Sequence, residues 1–497
     1  MIRQASFAIA GGMILGFNAY GQPACDALVA FLADRAVGVV CFESEDLTTN
    51  NETPPRPMPT TPENDSIGRL PFAFTPITDR TVISPDDPDR TPTPTVVPGI
   101  QVQGYFADDP RREARFVLRL PNDWNGRAVI AGASGTRSEY NGDFAWSDYV
   151  IQQGYAYASQ NKGILNIFLS DATDPLACRL NPDSPVYAHG YALGPDPVGA
   201  VRPERVWSDW TDYMIEVARL ARGAIQAHYG HPPRYTYAVG TSNGGYQVRR
   251  AIENAPELFS GGIDWEGTDI RNVLIGLPPA IRNLPDYVAP GYDPDSQAAR
   301  NIRAAGYAPD IFNAAGMSLW KQYSDSYWEF TQCTFQKQFD FTYDTYGAGA
   351  GNYDFHQRAQ ITAVAERISH VQTTGDIKRP LITLAGTLDA LLPIQLHARV
   401  YAESVRRHLR ESENDHRPQY RLYEIQNGNH IEFYKNRVGI AFDQLEFIQP
   451  HAQRAFDLLV SHVEHHSRLP PDQCVPRGGS ISDHPSERGH CSRLLVP

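Results

Sequence analysis

The stretch YAVGTSNGGYQ, residues 237–247, decides the fold. An apolar run ends at Gly240, Ser242 follows, and Gly244 opens a segment with helical periodicity. A sharp turn between a strand and a helix pushes the serine towards a positive φ, and it brings positions 240 and 244 so close that only glycine fits there. The pattern predicts a nucleophile elbow, which presents the Ser242 hydroxyl at the N-terminal end of a helix. The alternative is an ordinary glycine-rich connection between a strand and a helix.

Two later segments supply the partners that a serine nucleophile needs, a base and a carboxylate that orients the base. In this arrangement they follow the serine in the order Asp then His, each at the end of a strand. PLITLAGTLDALLP (380–393) places Asp389 after an apolar run, and RLYEIQNGNHIEF (421–433) places His430 in a Gly/Asn loop. We therefore predict a triad of Ser242, His430 and Asp389.

Other acids and bases compete for these roles. In GGIDWEG (261–267), Asp264 and Glu266 follow the strand after the elbow, and Asp264 is the alternative acid. His397 lies within the helical pattern PIQLHARVYAESV and is predicted to be a helix-surface residue. Three further histidines lack a strand-end position: His189, His356 and His370.

An oxyanion hole requires two backbone N–H donors near the nucleophile. Asn243, the residue after the serine, supplies the first. The loop after the apolar run RAVIAG (127–132) is built from small residues, so Ser134 or Gly135 is expected to supply the second.

The rest of the pattern predicts an α/β-hydrolase fold, with a mostly parallel sheet and helices on both faces. IQVQGYFA (100–107) and EARFVLRLP (113–121) alternate like neighbouring antiparallel strands. More than a hundred residues separate FSGGIDWEG from PLITLAG, too many for an ordinary crossover. We predict a catalytic domain over 99–267 and 379–466, and an inserted, aromatic-rich lid domain over 268–378.

Both ends of the chain have their own character. Residues 1–21 have Arg3, an apolar stretch and small residues at the spacing of a signal-peptide cleavage site. Residues 22–98 are expected to form a disulfide-clipped segment and a Pro/Thr-rich linker, and 467–497 a C-terminal tail. The predicted location is secreted or periplasmic.

Six cysteines fit an oxidising compartment and lack metal-ligand spacing, which disfavours zinc. They allow about 15 pairings, of which position along the chain favours Cys25–Cys41, Cys178–Cys333 and Cys474–Cys491. Free buried thiols are the alternative.

The net charge of −13 and the lack of a long Lys/Arg run argue against nucleic acid as a partner. After the N-terminal stretch, no segment reaches the roughly 20 apolar residues of a membrane span, so no membrane partner is expected. The oligomeric state is left open.

Several segments together resemble the tannase and feruloyl esterase group of α/β hydrolases and its relatives that cleave 3-hydroxybutyrate oligomers. They are LPNDWNGRAVIAGASG, QGYAYASQNKG, the stretch around the elbow, AGTLDALLP and NGNH. The resemblance implies a secreted carboxylic ester hydrolase with a lid and the triad above. The acyl-enzyme mechanism of such a triad requires no metal or organic cofactor. Tannase-like members usually pair a cysteine before the serine with one after the histidine, where this chain has Thr241 and Ile431, and the calcium-binding lid loop of that branch is not recognisable. These departures weaken a phenolic-ester assignment, and SNGG and QNKG look closer to the hydroxybutyrate-oligomer branch.

The predicted function is a serine esterase acting on short hydroxyalkanoate oligomers or small polyester fragments. The alternatives are an esterase for phenolic or aromatic esters, terephthalate esters included, and a serine peptidase. A binding protein that keeps the fold without the chemistry, and lyase or perhydrolase chemistry, are further alternatives.

Overall fold

The structure is a computed structural model, and the part of the chain that it describes is given by these ranges: 23–50, 91–110, 112–135, 138–164, 168–170, 172–173, 177–189, 203–340, 343, 350–361, 363–411 and 418–497. The predicted signal peptide (1–21) and most of the Pro/Thr-rich linker lie outside the described residues.

A ten-stranded sheet forms the centre of the molecule, in the order β1-β2-β3-β5-β4-β9-β10-β11-β12-β13. Its strands are β1 Ala36–Ser44, β2 Gly99–Phe106, β3 Arg115–Pro121, β4 Arg127–Gly132, β5 Ala156–Gln160, β9 Tyr235–Thr241, β10 Gly261–Trp265, β11 Leu381–Gly386, β12 Tyr420–Ile425 and β13 Gln473–Val475. A small second sheet, of order β6-β8-β7, consists of β6 Phe168–Ser170, β7 Ala177–Arg179 and β8 Tyr187–His189.

The strand directions give the α/β-hydrolase fold that the sequence predicts. β1, β2, β3 and β5 pair antiparallel in turn, and every pair from β5 through β4 to β13 is parallel. β2 and β3 are the two strands that the alternating pattern predicted to be antiparallel neighbours, and that prediction is confirmed. Because parallel strands end at the same edge, the loops after β4, β9, β10, β11 and β12 meet there.

Helices cover both faces of the sheet, since successive strand residues enter opposite cores. Ala128 and Ile130 pack with one set of helices, whereas Val129 and Ala131 pack with another. The first set contains α1 Pro23–Leu32, α3 Pro203–Tyr229, α4 Asn243–Asn254 and α11 Ala398–Glu411, and the second contains α2 Asp148–Ile151 and α12 Gln449–His465.

The segment between β10 and β11, which we call the insertion, is helical. Its helices are α5 Ile270–Val288, α6 Gln297–Ala304, α7 Leu319–Tyr323, α8 Glu329–Phe339, α9 Phe355–Ile361 and α10 Val364–Val371. Their aromatic side chains form a third core that also takes in Leu388 and Ile431, from the loops after β11 and β12. The insertion therefore packs against the sheet edge where the candidate site lies.

Both chain ends join the main sheet as edge strands. β1 pairs with β2, and β13 pairs with β12. Thr387 Oγ1 donates to the Leu494 carbonyl, and Asn427 Nδ2 donates to the Val496 carbonyl (2.6 Å). The segment expected as a C-terminal tail thus packs against the loops that follow β11 and β12.

All three predicted disulfides are present. Cys25–Cys41 links α1 to β1, Cys474–Cys491 closes the C-terminal segment, and Cys178–Cys333 joins β7 to α8 of the insertion. In the described ranges, no helix combines the length and apolar character needed to cross a bilayer.

Candidate active site

The elbow has the backbone geometry that the glycine pattern predicts. β9 ends at Thr241 and α4 begins at Asn243, and Ser242 between them has φ 58° and ψ −118°. A Cβ on Gly240 would overlap the Gly244 carbonyl, and a Cβ on Gly244 would overlap the Gly132 carbonyl. The turn therefore requires glycine at 240 and 244 because the backbones of the elbow and of β4 are in direct contact.

The structure brings the three predicted triad residues together at the sheet edge. The Ser242 hydroxyl lies 2.9 Å from His430 Nε2, and His430 Nδ1 lies 2.8 Å from Asp389 Oδ2. Asp389 Oδ1 accepts the N–H groups of Leu391 (2.8 Å) and Leu392 (2.6 Å). A carboxylate accepts hydrogen bonds, so the contacts assign the imidazole proton to Nδ1 and leave Nε2 to accept the serine proton.

Asp264, the alternative acid, does not lie next to His430. It is fully buried against Arg249, whose Nε donates to it at 2.6 Å, and it also accepts from Thr383 Oγ1 (2.7 Å). Glu266 is the residue from this strand end that approaches the histidine, with Oε2 3.5 Å from Nδ1.

The prediction that His397 is a helix-surface residue is wrong. It lies immediately before α11 with 3% of its surface exposed, and its Nδ1 accepts the N–H of Asp269 at 2.9 Å. Burial, with a smaller effect from the positive charge of Arg249, holds the pKa of His397 well below its usual range. His397 is thus a neutral structural acceptor that fixes the start of the insertion.

The structure places the other three candidate histidines on elements other than the loops that carry the triad. His356 and His370 are exposed on insertion helices, and His189 belongs to β8 of the small sheet.

Asn243 is the first residue of α4, so its N–H points out of the helix end beside Ser242. Its side-chain oxygen accepts from Thr268 Oγ1 (2.7 Å), which holds the turn against the loop after β10.

The loop after β4 is the loop of small residues in which the sequence predicts the second oxyanion donor. The Ser134 N–H donates to Asn141 Oδ1 (2.8 Å), and Lys162 Nζ lies 3.4 Å from the Ser134 carbonyl. The Ser134 N–H is thus engaged within its own loop, and Gly135, the other candidate for the second oxyanion donor, has φ 46°.

Two insertion aromatics hydrogen-bond to the loops that carry Asp389 and His430. Trp328 Nε1 donates to the Ala390 carbonyl at 2.7 Å. The Tyr323 hydroxyl donates to Asn429 Oδ1 (3.0 Å) and accepts the N–H of Ile431 (3.0 Å). The sequence shows only that both rings belong to the aromatic-rich segment 268–378, because nothing in their local pattern shows which distant loop they contact.

The side chains of Glu266, Asp389 and His430 present ligand atoms within 4.8 Å of one another, a spacing that a metal site shares. Both ring nitrogens of His430 already serve Ser242 and Asp389, however. A metal ion would have to displace the hydrogen bond between Asp389 and His430, so the arrangement suits proton transfer better than metal binding.

Comparison with known proteins confirms the resemblance to the hydroxybutyrate branch. Residues 331–488, which include Asp389 and His430 but not Ser242, match the family described as 3HB-oligomer hydrolase. A 149-residue stretch (30% of this chain) is 27% identical to mono(2-hydroxyethyl) terephthalate hydrolase of Piscinibacter sakaiensis, and a 128-residue stretch (24%) is 28% identical to D-(-)-3-hydroxybutyrate oligomer hydrolase of Azoarcus sp. (strain BH72). These stretches span only 22% and 18% of the two relatives' lengths.

Among solved structures, feruloyl esterase B from Aspergillus oryzae superimposes with a TM-score of 0.49 at 13% identity, over 76% of this chain and 82% of that one. Tannin acyl hydrolase from Aspergillus niger superimposes with a TM-score of 0.45, also at 13% identity, over 75% and 80%.

Proposed function

We propose that the chain is a serine ester hydrolase in which Ser242, His430 and Asp389 carry the chemistry. The observation that supports this best is the continuous hydrogen-bonded line from the Ser242 hydroxyl through both ring nitrogens of His430 to Asp389. Ser242 lies at a strained strand-to-helix turn. The three residues follow one another along the chain as Ser, Asp and His, the order that α/β hydrolases use.

The proposed reaction proceeds through an acyl-enzyme. Ser242 Oγ attacks the ester carbonyl carbon while its proton moves to His430 Nε2, and Asp389 stabilises the imidazolium that results. The N–H groups of Asn243 and Gly135 bind the oxyanion. The bond to the alcohol oxygen then breaks as His430 returns the proton to it. Water attacks the acyl-serine by the same route and releases the acid.

Replacing the nucleophile tests this proposal. Ser242→Ala should lower kcat on a p-nitrophenyl ester by at least about a thousandfold and abolish labelling by a fluorophosphonate probe. Ser260→Ala is the matched control. Ser260 precedes β10, at the end of the strands opposite to the triad, and its hydroxyl accepts the Thr236 N–H (3.2 Å). It should keep both activity and labelling. Wild-type turnover in a folded Ser242→Ala variant would refute the mechanism.

For the substrate we propose short hydroxyalkanoate oligomers of the 3-hydroxybutyrate type. The support is the family match over residues 331–488 and the similarity to the Azoarcus oligomer hydrolase. Monoesters of terephthalic acid are the second candidate, since the Piscinibacter relative is named for one. Both names denote an ester whose molecule also carries a free carboxylic acid, a feature that simple alkyl esters lack.

A substrate panel distinguishes these candidates. We expect kcat/KM to be highest for 3-hydroxybutyrate dimers and trimers, lower for mono(2-hydroxyethyl) terephthalate, and lower still for methyl gallate and methyl ferulate. Higher values for the phenolic esters would favour the tannase branch. A matched amide turned over faster than its ester would indicate a peptidase.

We also propose export to an oxidising compartment, secreted or periplasmic. Three disulfides support this, because structural disulfides persist in such compartments and are rare in the cytosol. Fractionation of the native host should place the chain outside the cytoplasm, and an exclusively cytoplasmic protein with six free thiols would contradict it.

A further inference from the structure

A second carboxylate stands beside the candidate acid–base pair. Glu266 is the first residue after β10, and its Oε2 lies 3.5 Å from His430 Nδ1, the same atom that Asp389 Oδ2 approaches at 2.8 Å. The register of β9 with β10 explains the position. Gly240 lies opposite Asp264 and Thr241 opposite Trp265, so Ser242 and Glu266 leave the sheet side by side.

The backbone aims the Glu266 side chain at the imidazole. Its φ of 52° is a left-handed conformation, which residues with a Cβ rarely adopt and which collects at functional sites. Its N–H donates to the Leu384 carbonyl (2.8 Å), and its Oε1 accepts the Gly386 N–H (3.0 Å), both on β11. Oε1 is therefore anchored by the backbone of β11, and Oε2 is the oxygen that faces His430 Nδ1.

The environment of Glu266 disfavours the ionised form of its carboxyl group. Glu266 is 2% exposed, and burial followed by the negative charge of Asp389 raises the pKa of its carboxyl well above the usual range. The Glu432 carboxylate adds to this effect, whereas the Gly386 N–H opposes it. Asp389 accepts two backbone N–H groups and the imidazole, and is the better stabilised anion. Burial and the neighbouring Asp389 carboxylate thus both favour the protonated form of Glu266.

We infer that Glu266 is a positioning residue that can take over the orientation of His430 when the Asp389 carboxylate is absent. This inference rests on the proposed function. In wild type, Asp389 Oδ2 lies 2.8 Å from His430 Nδ1 and orients the imidazole, and Glu266 Oε2 lies beside it at 3.5 Å. When a neutral residue replaces Asp389, the charge that disfavours ionisation of Glu266 is removed, so the Glu266 carboxylate can accept the His430 Nδ1–H. Its Oε2 needs to move only from 3.5 Å to about the 2.8 Å at which Asp389 now stands.

The test compares one substitution in two backgrounds. In a triad without a second acid, Asp→Asn lowers kcat by about ten-thousandfold. Here Asp389→Asn should lower kcat by only about 10- to 100-fold. Glu266→Gln keeps the shape of the side chain, and it should lower kcat about threefold in wild type but at least about a hundredfold in the Asp389→Asn background.

Asp389→Ala serves as a second background, because it has no amide that could hold His430 in the wrong tautomer. A pH profile adds a readout that a purely structural role would not move. Besides the rise with pH that any general-base histidine produces, the rate of Asp389→Asn should show a second rise, and this second rise should be absent in Asp389→Asn/Glu266→Gln.

The inference would be overturned if Glu266→Gln lowered kcat by the same factor in wild type and in both Asp389 backgrounds. This comparison holds for variants whose circular dichroism matches that of wild type. A full ten-thousandfold loss in both Asp389→Asn and Asp389→Ala would also overturn it. Failure of the proposed function is recognised separately, since it would appear as retained activity in Ser242→Ala.

Discussion

At the scale of single residues, the site depends on two strained side-by-side positions. Ser242 and Glu266 both have φ between 50° and 60°, at 58° and 52°. Such a conformation costs about 1–3 kcal/mol for a residue with a Cβ. Backbone hydrogen bonds hold it in place, because the Ser242 N–H donates to the Trp265 carbonyl (2.8 Å) and the Thr268 N–H donates to the Ser242 carbonyl (3.2 Å). The strained turns at the ends of β9 and β10 support each other.

Gly244→Ala should disrupt this arrangement more than an alanine elsewhere. Its Cβ would overlap the Gly132 carbonyl and lie 3.0 Å from the Ala133 carbonyl, both rigid backbone. We expect the free energy of unfolding to fall by about 3 kcal/mol or more, with loss of fluorophosphonate labelling. Gly230→Ala is the control, since its Cβ meets no atom within 4 Å and only its φ of 87° costs about 1 kcal/mol. Urea denaturation compares the two, and equal losses would contradict the close contact.

The elbow and the triad candidates were predictable from the sequence, whereas the role of Glu266 was not. The elbow and the triad candidates could be predicted because each lies in a short local pattern, a strand followed by a turn. Glu266 could not be preferred to Asp264, since the sequence places both at the end of the same strand and on the same face of it. The choice depends on the positive φ that turns Glu266 at the strand end, and on Arg249, which binds Asp264. Neither is visible in the letters GGIDWEG.

At the scale of elements, the insertion is joined to the loops of the site by hydrogen bonds from Tyr323 and Trp328. These two residues stand at either end of the π-helical turn Ser324–Trp328 between α7 and α8. Where the tannase group has a cysteine after the histidine, this chain has Ile431, and its N–H binds the Tyr323 hydroxyl. A contact from the insertion thus fixes the histidine loop.

Removing the Tyr323 hydroxyl tests this contact. Tyr323→Phe leaves the buried Ile431 N–H and Asn429 Oδ1 without that partner, which costs about 1–3 kcal/mol and loosens the loop that carries His430. We expect kcat to fall about tenfold with a smaller change in KM. Tyr287→Phe is the control, because its buried hydroxyl binds Asp310 (3.2 Å) inside the insertion. It should cost stability without lowering kcat, and the same kcat in both variants would refute the role of Tyr323.

At the scale of the whole molecule, segments remote in sequence complete the sheet. β1 and β13 were not expected as sheet strands, because the first precedes a Pro/Thr-rich region and the second spans only Gln473–Val475 in a segment rich in turns. Their pairing depends on contacts with β2 and β12, so it is a tertiary effect that local patterns do not encode. The parallel pairing of the strands from β4 to β12 follows from the alternation of strands and helices, which the sequence does show.

A buried carboxyl joins the N-terminal segment to the body of the molecule and makes stability depend on pH. Asp148 accepts the Thr49 N–H (2.9 Å) and also the Thr49 hydroxyl, and burial raises its pKa from 3.8 to about 6. A raised carboxyl pKa means that the folded state binds the proton more tightly. The resulting stabilisation is complete below pH 3.8 and is lost as the pH rises through about 6.

Asp148→Asn removes this dependence, since the amide keeps an acceptor for the Thr49 N–H and does not titrate. Relative to wild type, the variant should gain roughly 2 kcal/mol of unfolding free energy between pH 4 and pH 7. Denaturant titrations of both proteins at four or five pH values measure the difference. A difference that stays constant over this range would contradict the assignment.

The disulfide between Cys178 and Cys333 also fixes the order in which the exported chain can be cross-linked. Cys25 and Cys41 are 16 residues apart and can pair soon after both reach the oxidising compartment, whereas Cys178 waits for another 155 residues. In a chain exported as it is synthesised, at about 5–20 residues per second, that interval lasts roughly 8 to 31 s. The Cys178 thiol stays reduced there while β9, the elbow and β10 arrive, and its covalent closure onto the insertion comes only after them.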